Sequence, residues 1–557
     1  MARTVSIGAQ DFEKLVSNDS FYVDKTAFIK EWWERRDIVT LITRPRRFGK
    51  TLNMNMLERF FSLEYADRGE LFRGLAIWEE EEYRELQGTY PVISLSFAGV
   101  KDTTYEVAVY RICGILQELY AKFGFLAESG KLTQGERRQF RKLSEDMTGQ
   151  DAPMALHKLS GYLERHFGKP VIILLDEYDT PMQEAYMHGF WEELFFFMRS
   201  LFNNTFKTNP YMERAVMTGI TRISKESMFS DLNNLNVAAV TSKEYASCFG
   251  FTQQEVFAAM DEFHMADKRE DVKKWYDGFT IGDLRDIYNP WSVINFLDTG
   301  ELKSYWANTS SNGLAGKLLR QGSQDMKMQF EQLLSGKTVE SRIDEDIAFH
   351  QLEQNENMVF SLFLAGGYLK IVEIRGNIYE MALTNYEVKK MFENMVLDWF
   401  AEDAPNYNRF VKALLLGDVD AMNFYMENVA ESMFSSFDTG NRPSKKTNPE
   451  RFYHGFVLGL LVDLAGRYVV TSNRESGFGR YDVMLEPLKK GDDGILLEFK
   501  VFDPKKEADL EETVQAALRQ MEEKKYGQVL EAHGLKGEHI RMYGLAFEGK
   551  NVLIGTK

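Results

Sequence analysis

The sequence predicts an α/β protein of several domains, and three observations support that fold class. The chain has 557 residues, more than a single hydrophobic core usually serves. In its first part, short apolar runs rich in β-branched residues alternate with helical stretches, which is typical of a mostly parallel sheet. A later stretch rich in Ser, Asn, Pro and Lys predicts a linker before a separate domain. The predicted strands of the first sheet are 38–43, 92–97, 171–175 and 215–218.

The order of these patterns predicts five segments along the chain. After the first sheet the apolar spacing becomes helical, and Asn289-Pro290 marks a turn before a new helix, so we expect a helical lid. Farther on, a helix, two strands joined at Arg375-Gly376-Asn377 and a second helix predict a winged-helix-like region. The predicted segments are 1–240 for the sheet domain, 241–335 for the lid, 336–434 for the winged-helix-like region, 435–449 for the linker and 450–557 for a C-terminal α/β domain.

Composition limits the classes of partner and compartment. No apolar run approaches the roughly 18 residues of a membrane helix, and the N-terminus has no apolar signal segment, so we expect a soluble, cytoplasmic protein without a membrane partner. Two cysteines, Cys113 and Cys248, are too few for a disulfide framework or a Cys-rich zinc site. The formal net charge of -17 opposes loose attraction of nucleic acid to the whole surface, but it permits a local nucleic-acid site.

The first predicted strand runs directly into a loop that has the features of a phosphate-binding P-loop. Gly49, Lys50 and Thr51 would supply the flexible turn, the cation for the phosphates of ATP and the hydroxyl for Mg²⁺. Arg44 stands where the GxxxxGK[ST] pattern has its first glycine, so the loop lacks its most flexible residue. The alternative is that Gly-Lys-Thr merely starts a helix. The expected nucleotide-binding residues of the loop are Arg44, Pro45, Arg46, Arg47, Phe48, Gly49, Lys50, Thr51 and Leu52.

The strand at 171–175 ends in two adjacent acids that suit the same site. Asp176 is expected to bind the nucleotide's Mg²⁺ together with Thr51, and Glu177 is expected to polarise the attacking water as a catalytic residue. The alternative is that these acids are a helix N-cap and a solvated carboxylate.

The strand at 215–218 is predicted to contribute sensor residues. Because the carboxyl ends of parallel strands meet at one edge of a sheet, Thr218 and Arg222 are expected near the γ-phosphate. The alternative pairs Arg222 with Asp179 or with another surface acid.

Several separated motifs occur in an order that resembles the bacterial AAA-ATPase-like family. They are YVDKT (22–26), RPRRFGKTL (44–52), LLDEYDTP (174–181), TGITRISKESMFSDLNN (218–234) and WYDGF (275–279). In that family RPRRFGK[ST] stands for the ordinary P-loop, which implies that Arg44 is a family variant. The resemblance covers roughly the first 300 residues and implies an ATP-binding domain. A degenerate ATPase is the alternative that Arg44 suggests.

Two strand-like runs in the C-terminal domain, 481–486 and 494–501, predict a hairpin. Asp482 lies early in the first run, and Glu498 and Lys500 lie near the end of the second, so pairing would bring both carboxylates together. Two carboxylates bind Mg²⁺ or Mn²⁺, and an ammonium group steadies developing charge, which predicts phosphodiester hydrolysis. The alternative is an edge-strand ion pair, because a Glu-x-Lys triplet alone is weak evidence.

The same region resembles the PD-(D/E)XK nuclease superfamily over roughly the last 110 residues. The matching stretches are 450–461, 475–485, 495–500 and 517–526. The resemblance implies that Glu450 is a further metal ligand and that Gln520 and Tyr526 contact the substrate backbone. Glu450 is alternatively an ordinary acid in the first turn of a helix. The usual Pro-Asp is replaced by Tyr481-Asp482, which keeps the carboxylate.

Two aromatic groups are expected to belong to the core. They are the Phe-rich stretch 190–202 and the pair Trp32-Trp33, for which an adenine contact is the alternative.

Together these patterns predict an ATP-binding and ATP-hydrolysing protein with a metal-dependent nuclease domain acting on DNA. Nucleotide state would gate cleavage, and the pairing of domains suggests defence against foreign DNA. The alternative is a nucleotide-driven signalling switch or scaffold whose nuclease-like domain binds without cleaving. Self-association into a homo-oligomer is compatible with either function.

Overall fold

The computed structural model divides into two compact units, Met1–Met391 and Phe392–Lys557. The residues that it describes are 3–223, 228–229, 232–306, 313–334, 336–347, 349, 352, 355–401, 407–434, 457, 461, 464, 467–476, 479–489, 491–548 and 551–557. The predicted linker 435–449 and the predicted ligand Glu450 lie outside them. The predicted segment boundaries stay predictions.

The first unit is built on a five-stranded parallel sheet in the order β2-β3-β4-β1-β6. All four predicted strands are present, and the predicted parallel pairing is confirmed. The fifth strand, β6, was not predicted, because its four residues include a polar asparagine and do not form a continuous apolar run. The strands are β1 Val39–Thr43, β2 Val92–Ser96, β3 Val171–Asp176, β4 Met212–Gly219 and β6 Leu235–Ala238. A two-residue strand, β5 Arg222–Ile223, pairs elsewhere.

Both faces of this sheet are covered, which explains why its strands are continuous apolar runs. Alternate residues such as Ile172 and Leu174 pack against the first three helices, while their neighbour Ile173 is equally buried on the opposite face. Trp32 is fully buried in this core and contacts Trp33, so the packing interpretation of that pair is confirmed. The helices are α1 Phe12–Ser17, α2 Ala27–Arg35, α3 Lys50–Phe61, α4 Glu81–Leu86, α5 Tyr105–Lys122, α6 Gln134–Glu145, α7 Ala155–Phe167, α8 Thr180–His188 and α9 Trp191–Phe202.

The Phe-rich stretch is mostly core, as expected. Phe190, Phe195, Phe197 and Phe202 are buried, whereas Phe196 is 65% exposed. Its exposure follows from the helix, because α9 buries one face only.

The predicted lid contains helices and also a small antiparallel sheet in the order β7-β9-β8. The helical spacing after the first sheet predicts helix in this segment, but 279–288 is a hairpin. Gly278 and Gly282 both have positive φ, which interrupts a helix and permits the turn. The elements are β7 Phe251–Thr252, α10 Gln253–Glu262, α11 Arg269–Tyr276, β8 Phe279–Ile281, β9 Leu284–Tyr288 and α12 Pro290–Thr299.

The next segment has the predicted order of helix, hairpin and helix, with the hairpin turn at Gly376. An additional strand, β10, pairs with the hairpin, while β11 pairs in parallel with β5. The elements are α13 Gly313–Gln321, α14 Gln324–Leu334, β10 Val339–Arg342, β11 Asp346–Ile347, α15 Glu356–Ala365, β12 Leu369–Arg375, β13 Ile378–Leu383 and α16 Tyr386–Ala401.

The second unit contains a five-stranded mixed sheet in the order β14-β15-β16-β17-β18, in which only β16 and β17 are parallel. One face packs against α17 and α18, and the other packs against α19 and α20. The elements are α17 Tyr407–Leu416, α18 Val419–Phe434, β14 Tyr468–Ser476, β15 Gly479–Pro487, β16 Gly494–Val501, α19 Leu510–Glu523, α20 Gly527–Ala532, β17 Ile540–Glu548 and β18 Asn551–Thr556. The predicted hairpin is β15–β16.

Candidate active sites

The predicted P-loop connects β1 to α3 at the carboxyl edge of the parallel sheet. Gly49 immediately precedes α3 with φ 84°, and a Cβ there would meet no atom within 4 Å, so its backbone conformation is what requires glycine. Arg47 also has a positive φ, of 64°, whereas Arg44 does not. The position at which the usual pattern has a glycine therefore needs no glycine in this loop.

The Arg44 side chain is fully buried and binds protein carbonyls. Its Nη1 donates to the carbonyls of Thr43, Ala238 and Ala239 at 2.9–3.0 Å, and its Nη2 donates to Glu244 O at 3.0 Å. Burial lowers the pKa of Arg44 to about 10, which leaves it a cation at neutral pH. Arg44 thus connects the start of the loop to the segment that follows β6. The sequence predicts that this side chain binds nucleotide, whereas in the fold its guanidinium binds backbone carbonyls.

A cavity of about 420 Å³ lies over the loop and is large enough for a nucleotide. The loop residues 46–52 line it, whereas Arg44 and Pro45 do not. Other walls come from the N-terminal segment, from the residues after β3 and from α12. These lining residues include Ser6, Gly8, Ala9, Gln10, Tyr22, Lys25, Lys101, Glu177, Thr180, Gln183, Glu184, Phe251, Trp291 and Ile294.

Lys50 is a buried cation at the base of this cavity. Its Nζ donates to Arg44 O at 2.9 Å and to Pro45 O at 2.8 Å. Burial lowers the pKa of Lys50, and the nearby carboxylates of Glu177 and Asp176 oppose that shift. A phosphate in the cavity would strengthen the charged state further, since an anion stabilises a buried ammonium group.

Asp176 and Thr51 lie together, as the sequence predicts for a Mg²⁺ site. The Thr51 hydroxyl donates to Asp176 Oδ2 at 2.7 Å, and the Thr218 hydroxyl donates to Asp176 Oδ1. Burial raises the pKa of Asp176, and these two hydroxyl groups oppose the shift. Thr218 contacts the acid that would hold the metal, and of Thr51, Asp176 and Thr218 it is Thr51 that lines the cavity.

Glu177 lines the cavity and has φ 50°, an unusual backbone conformation for a glutamate. The Thr180 hydroxyl donates to Glu177 Oε2 at 3.0 Å. Helix α8 begins at Thr180, and its N-cap residue is Asp179. The alternative in which Glu177 is the N-cap residue of this helix therefore does not hold.

Arg222 forms an ion pair with Asp346, with Nε and Oδ1 at 2.6 Å. Asp179 instead accepts hydrogen bonds from the backbone of Ile220 and Thr221 at 3.0 and 2.9 Å. The alternative interpretation of Arg222 was an ion pair with Asp179 or with another surface acid. Arg222 does pair with an acid, and that acid is Asp346.

Sequence reasoning missed Trp291 and the N-terminal segment around Gly8. Trp291 is in the first turn of α12, where the Asn289 side chain accepts from its backbone N–H at 2.9 Å. The Arg47 guanidinium lies 4.3 Å from the centre of the Trp291 ring. The Asn289-Pro290 pair signalled the helix start, but no local pattern linked this helix to a loop more than 200 residues earlier.

The second unit brings its predicted site residues together around Gln520 on α19. Lys500 Nζ donates to Gln520 Oε1 at 2.7 Å, and Gln520 Nε2 donates to Glu498 Oε1. The Tyr526 side chain hydrogen-bonds Gln520, and burial raises the pKa of Tyr526. Glu498 and Asp482 add to that rise, because both negative charges lie nearby.

Strand register explains this convergence. Val483 pairs with Leu497, so continuing the antiparallel register by one residue sets Asp482 opposite Glu498. Asp482 Oδ2 accepts from the backbone N–H of Phe499 at 2.9 Å. The Phe499 side chain is fully buried on the other face of the sheet, as predicted from strand alternation.

The residues present suit a hard divalent cation at this second site. Asp482 and Glu498 offer carboxylate oxygens, the preferred ligands of Mg²⁺, which also keeps several waters or substrate oxygens. Within the described residues no group of three or more His, Cys, Asp or Glu side chains is placed to hold a metal. Among the described residues, Asp482 and Glu498 are the two carboxylates that would hold a metal here, and the predicted third ligand, Glu450, lies outside those residues.

Comparison with known proteins supports both domain assignments. Residues 6–229 match the family model of the predicted AAA-ATPases, and residues 448–557 match that of the PD-(D/E)XK nuclease superfamily. The two resemblances seen in the sequence are therefore confirmed. The chain is also 25% identical to an uncharacterized protein in the vnfD 5' region of Azotobacter chroococcum, over 98% of this chain and 96% of that protein. No helix of the described residues is long and apolar enough to cross a membrane.

Proposed function

We propose, from an AAA-ATPase-like domain and a PD-(D/E)XK nuclease superfamily domain on one chain, that this protein binds and hydrolyses ATP and cleaves DNA in a metal-dependent reaction. The state of the nucleotide would gate cleavage. The observation that carries the nuclease proposal is the network of Asp482, Glu498, Lys500, Gln520 and Tyr526.

The ATP part of the proposal is supported by the cavity over the loop. Lys50 and Thr51 line it, and Lys50 would neutralise phosphate charge. The Thr51 hydroxyl would hold Mg²⁺ together with Asp176, to which it donates a hydrogen bond. Bound Mg²⁺ supplies further charge neutralisation to the phosphates. Glu177 lines the cavity, where it would orient the attacking water.

The nuclease part follows from the chemistry of the network. Asp482 and Glu498 would hold Mg²⁺ or Mn²⁺, which when bound supplies Lewis-acid activation of water and phosphate. Lys500 would stabilise the charge that develops on the phosphate, and the Gln520 hydrogen bond fixes its position. Tyr526 would contact the substrate backbone.

The pairing of the two domains favours DNA as the substrate and a role in defence against foreign DNA, with the cytoplasm as its location. A homo-oligomer fits this proposal, and light scattering with and without ATP measures it. RNA is the competing substrate class, and parallel assays on single- and double-stranded DNA and RNA decide between them.

The test of the nuclease proposal is Mg²⁺- or Mn²⁺-dependent cleavage by the full chain and its variants. Asp482→Asn keeps an acceptor for the Phe499 N–H but removes the charge, and Lys500→Ala removes the ammonium group. Each should lower cleavage about 100-fold or more. The matched controls Glu538→Gln and Lys536→Ala alter an exposed ion pair in the same unit and should cleave normally. Equal cleavage by Asp482→Asn and wild type would reject the assignment.

The test of the ATP proposal separates binding from turnover. Lys50→Ala should lose ATP binding in calorimetry, while Glu177→Gln should bind ATP but lose turnover. Retained turnover in Glu177→Gln would exclude Glu177 as the catalytic residue. ATP binding without metal-dependent cleavage of any nucleic acid would favour the switch or scaffold.

A further inference from the structure

The P-loop presents two further cations to its cavity besides Lys50. Arg46, Arg47 and Lys50 all line the cavity. Lys50 is held by two carbonyls, and Arg46 Nη2 donates to Gln183 Oε1 at 3.3 Å. Arg47 is exposed and stacks on Trp291, and within the described part of the chain it forms no ion pair with a carboxylate. Arg47 is therefore the cation of the loop that can change partner most readily.

A phosphate group would compete well for the Arg47 guanidinium. A cation–π contact at an exposed site is weak, whereas a guanidinium binds phosphate through two charge-assisted hydrogen bonds. The residue is three positions before Lys50 and in the same cavity, and its φ of 64° directs the backbone through a tight turn there. Occupation of the cavity by phosphate would therefore draw Arg47 away from Trp291.

A movement of Trp291 after it loses its stacking partner would affect other parts of the first unit, because hydrogen bonds connect the start of α12 to the P-loop and to α16. Asn289 Oδ1 accepts from the Trp291 N–H at 2.9 Å, while Asn289 Nδ2 donates to Arg46 O at 3.2 Å, so the loop and α12 are directly bonded. The next residue, Ser292, donates to the fully buried Glu387 at 2.7 Å. Glu387 lies in the first turn of α16, and its side chain also accepts a hydrogen bond from the backbone N–H of Trp306 at 2.6 Å.

We infer that Arg47 is a phosphate-sensing residue, which leaves its stack on Trp291 for the nucleotide's phosphates when they bind. This inference rests on the proposed ATP binding and adds a residue that reports occupancy to α12 and, through Ser292, to Glu387. It assigns to Arg47 the sensing role that sequence reasoning gave to Arg222, whose side chain is paired with Asp346.

The test uses the tryptophan fluorescence of the full chain, with the Trp291 contribution taken as the difference between wild type and Trp291→Phe. ADP and ATP with Mg²⁺ should shift Trp291 emission to longer wavelength, because the indole becomes more hydrated, and adenosine should not. Arg47→Met keeps side-chain length without charge. It should lose most of the shift and bind ATP about tenfold more weakly, as expected for one charged hydrogen bond. Arg47→Lys should recover part of the affinity.

The control is Arg269→Ala, which removes a comparable stack of Arg269 on Phe257 outside the cavity. This variant should leave both the Trp291 emission shift and the affinity for ATP unchanged. A full shift with adenosine would overturn the inference and make Trp291 a base-contacting residue. Wild-type shift and affinity in Arg47→Met would overturn it too. If calorimetry shows nucleotide binding without any Trp291 shift, only this inference fails; if it shows no binding at all, the proposed function fails with it.

Discussion

The two units build their sites on different parts of a sheet. In the first unit the site lies beyond the carboxyl ends of parallel strands, where β1 leads into the P-loop and β3 ends at Asp176. In the second unit Asp482 and Glu498 lie within antiparallel neighbours, and Gln520 joins them from a covering helix. The first site therefore depends on a continuous loop held in place, and the second depends on strand register and side-chain contacts.

This difference shows in how each site is supported. Arg44 holds the P-loop through carbonyls that are up to about 200 positions away in the chain. Gln520 holds Glu498 and Lys500 through one amide group. The contacts of Arg44 therefore mainly stabilise the first unit, whereas Gln520 directly holds the side chains that are proposed to act in cleavage.

Arg44→Gly should cause the greatest loss of stability among the substitutions considered. This change restores the glycine of the usual P-loop pattern, but it leaves several buried carbonyls without their donor. We expect the free energy of unfolding of the first unit to fall by about 3–5 kcal/mol without any gain in ATP affinity. Thermal denaturation and calorimetry measure the two quantities. A stable variant with tighter ATP binding would contradict a structural role for Arg44.

The second expected effect is on cleavage, from Gln520→Met. The variant keeps side-chain volume but cannot hold Lys500 and Glu498, so cleavage should fall about 10–100-fold with little change in stability. Gln515→Met on the exposed side of the same helix is the matched control. If the two variants cleave equally, the amide contacts do not position the reactive groups.

A third effect tests close packing in both sheets. A Cβ on Gly219 would lie 2.6 Å from Asp179 Oδ1, and one on Gly544 would lie 2.8 Å from Val514 O. Either glycine-to-alanine change should destabilise its unit by about 1–3 kcal/mol. Gly114→Ala, in the interior of α5 with no atom within 4 Å, should instead stabilise by about 0.5–1 kcal/mol. Scanning calorimetry of the three variants checks the signs.

A fourth effect distinguishes the two units by the direction in which their stability changes with pH. Burial, reinforced by Asp286, raises the pKa of Asp277 to about 6, so folding favours its protonated form. That contribution is complete below pH ~4 and is lost as pH rises through about 6. Asp277→Asn keeps the acceptor for the Gly278 N–H and should be more stable than wild type at pH 8, on the order of 1–2 kcal/mol, but not at pH 4.

In the second unit, Asp492 should make stability depend on pH in the opposite direction. The hydrogen bond from Arg467 lowers the pKa of Asp492, so its contribution is present above pH ~4 and is lost as pH falls. Asp492→Asn should therefore lose stability at pH 8 and not below pH 3. Melting temperatures across this range test both variants, and matching pH profiles would contradict the assignment of cause.

The features that the sequence predicted correctly are those encoded by neighbouring residues. The strand before Gly49-Lys50-Thr51, the strand before Asp176 and the hairpin containing Asp482 and Glu498 are all present. The hairpin at 279–288 was missed, because two glycines outweigh the helical spacing of its neighbours. Glu450 lies outside the described residues, so its proposed role stays a prediction.

The parallel strands, the predicted P-loop and the pairing of Asp482 with Glu498 could be predicted from the amino-acid sequence, because each arises from side-chain periodicity or from adjacent residues. Three arginine contacts became apparent in the folded chain instead: Arg44 binds carbonyls, Arg222 pairs with Asp346 and Arg47 stacks on Trp291. An arginine side chain is long and has several donors, so its partner depends on which distant segment folding brings within reach.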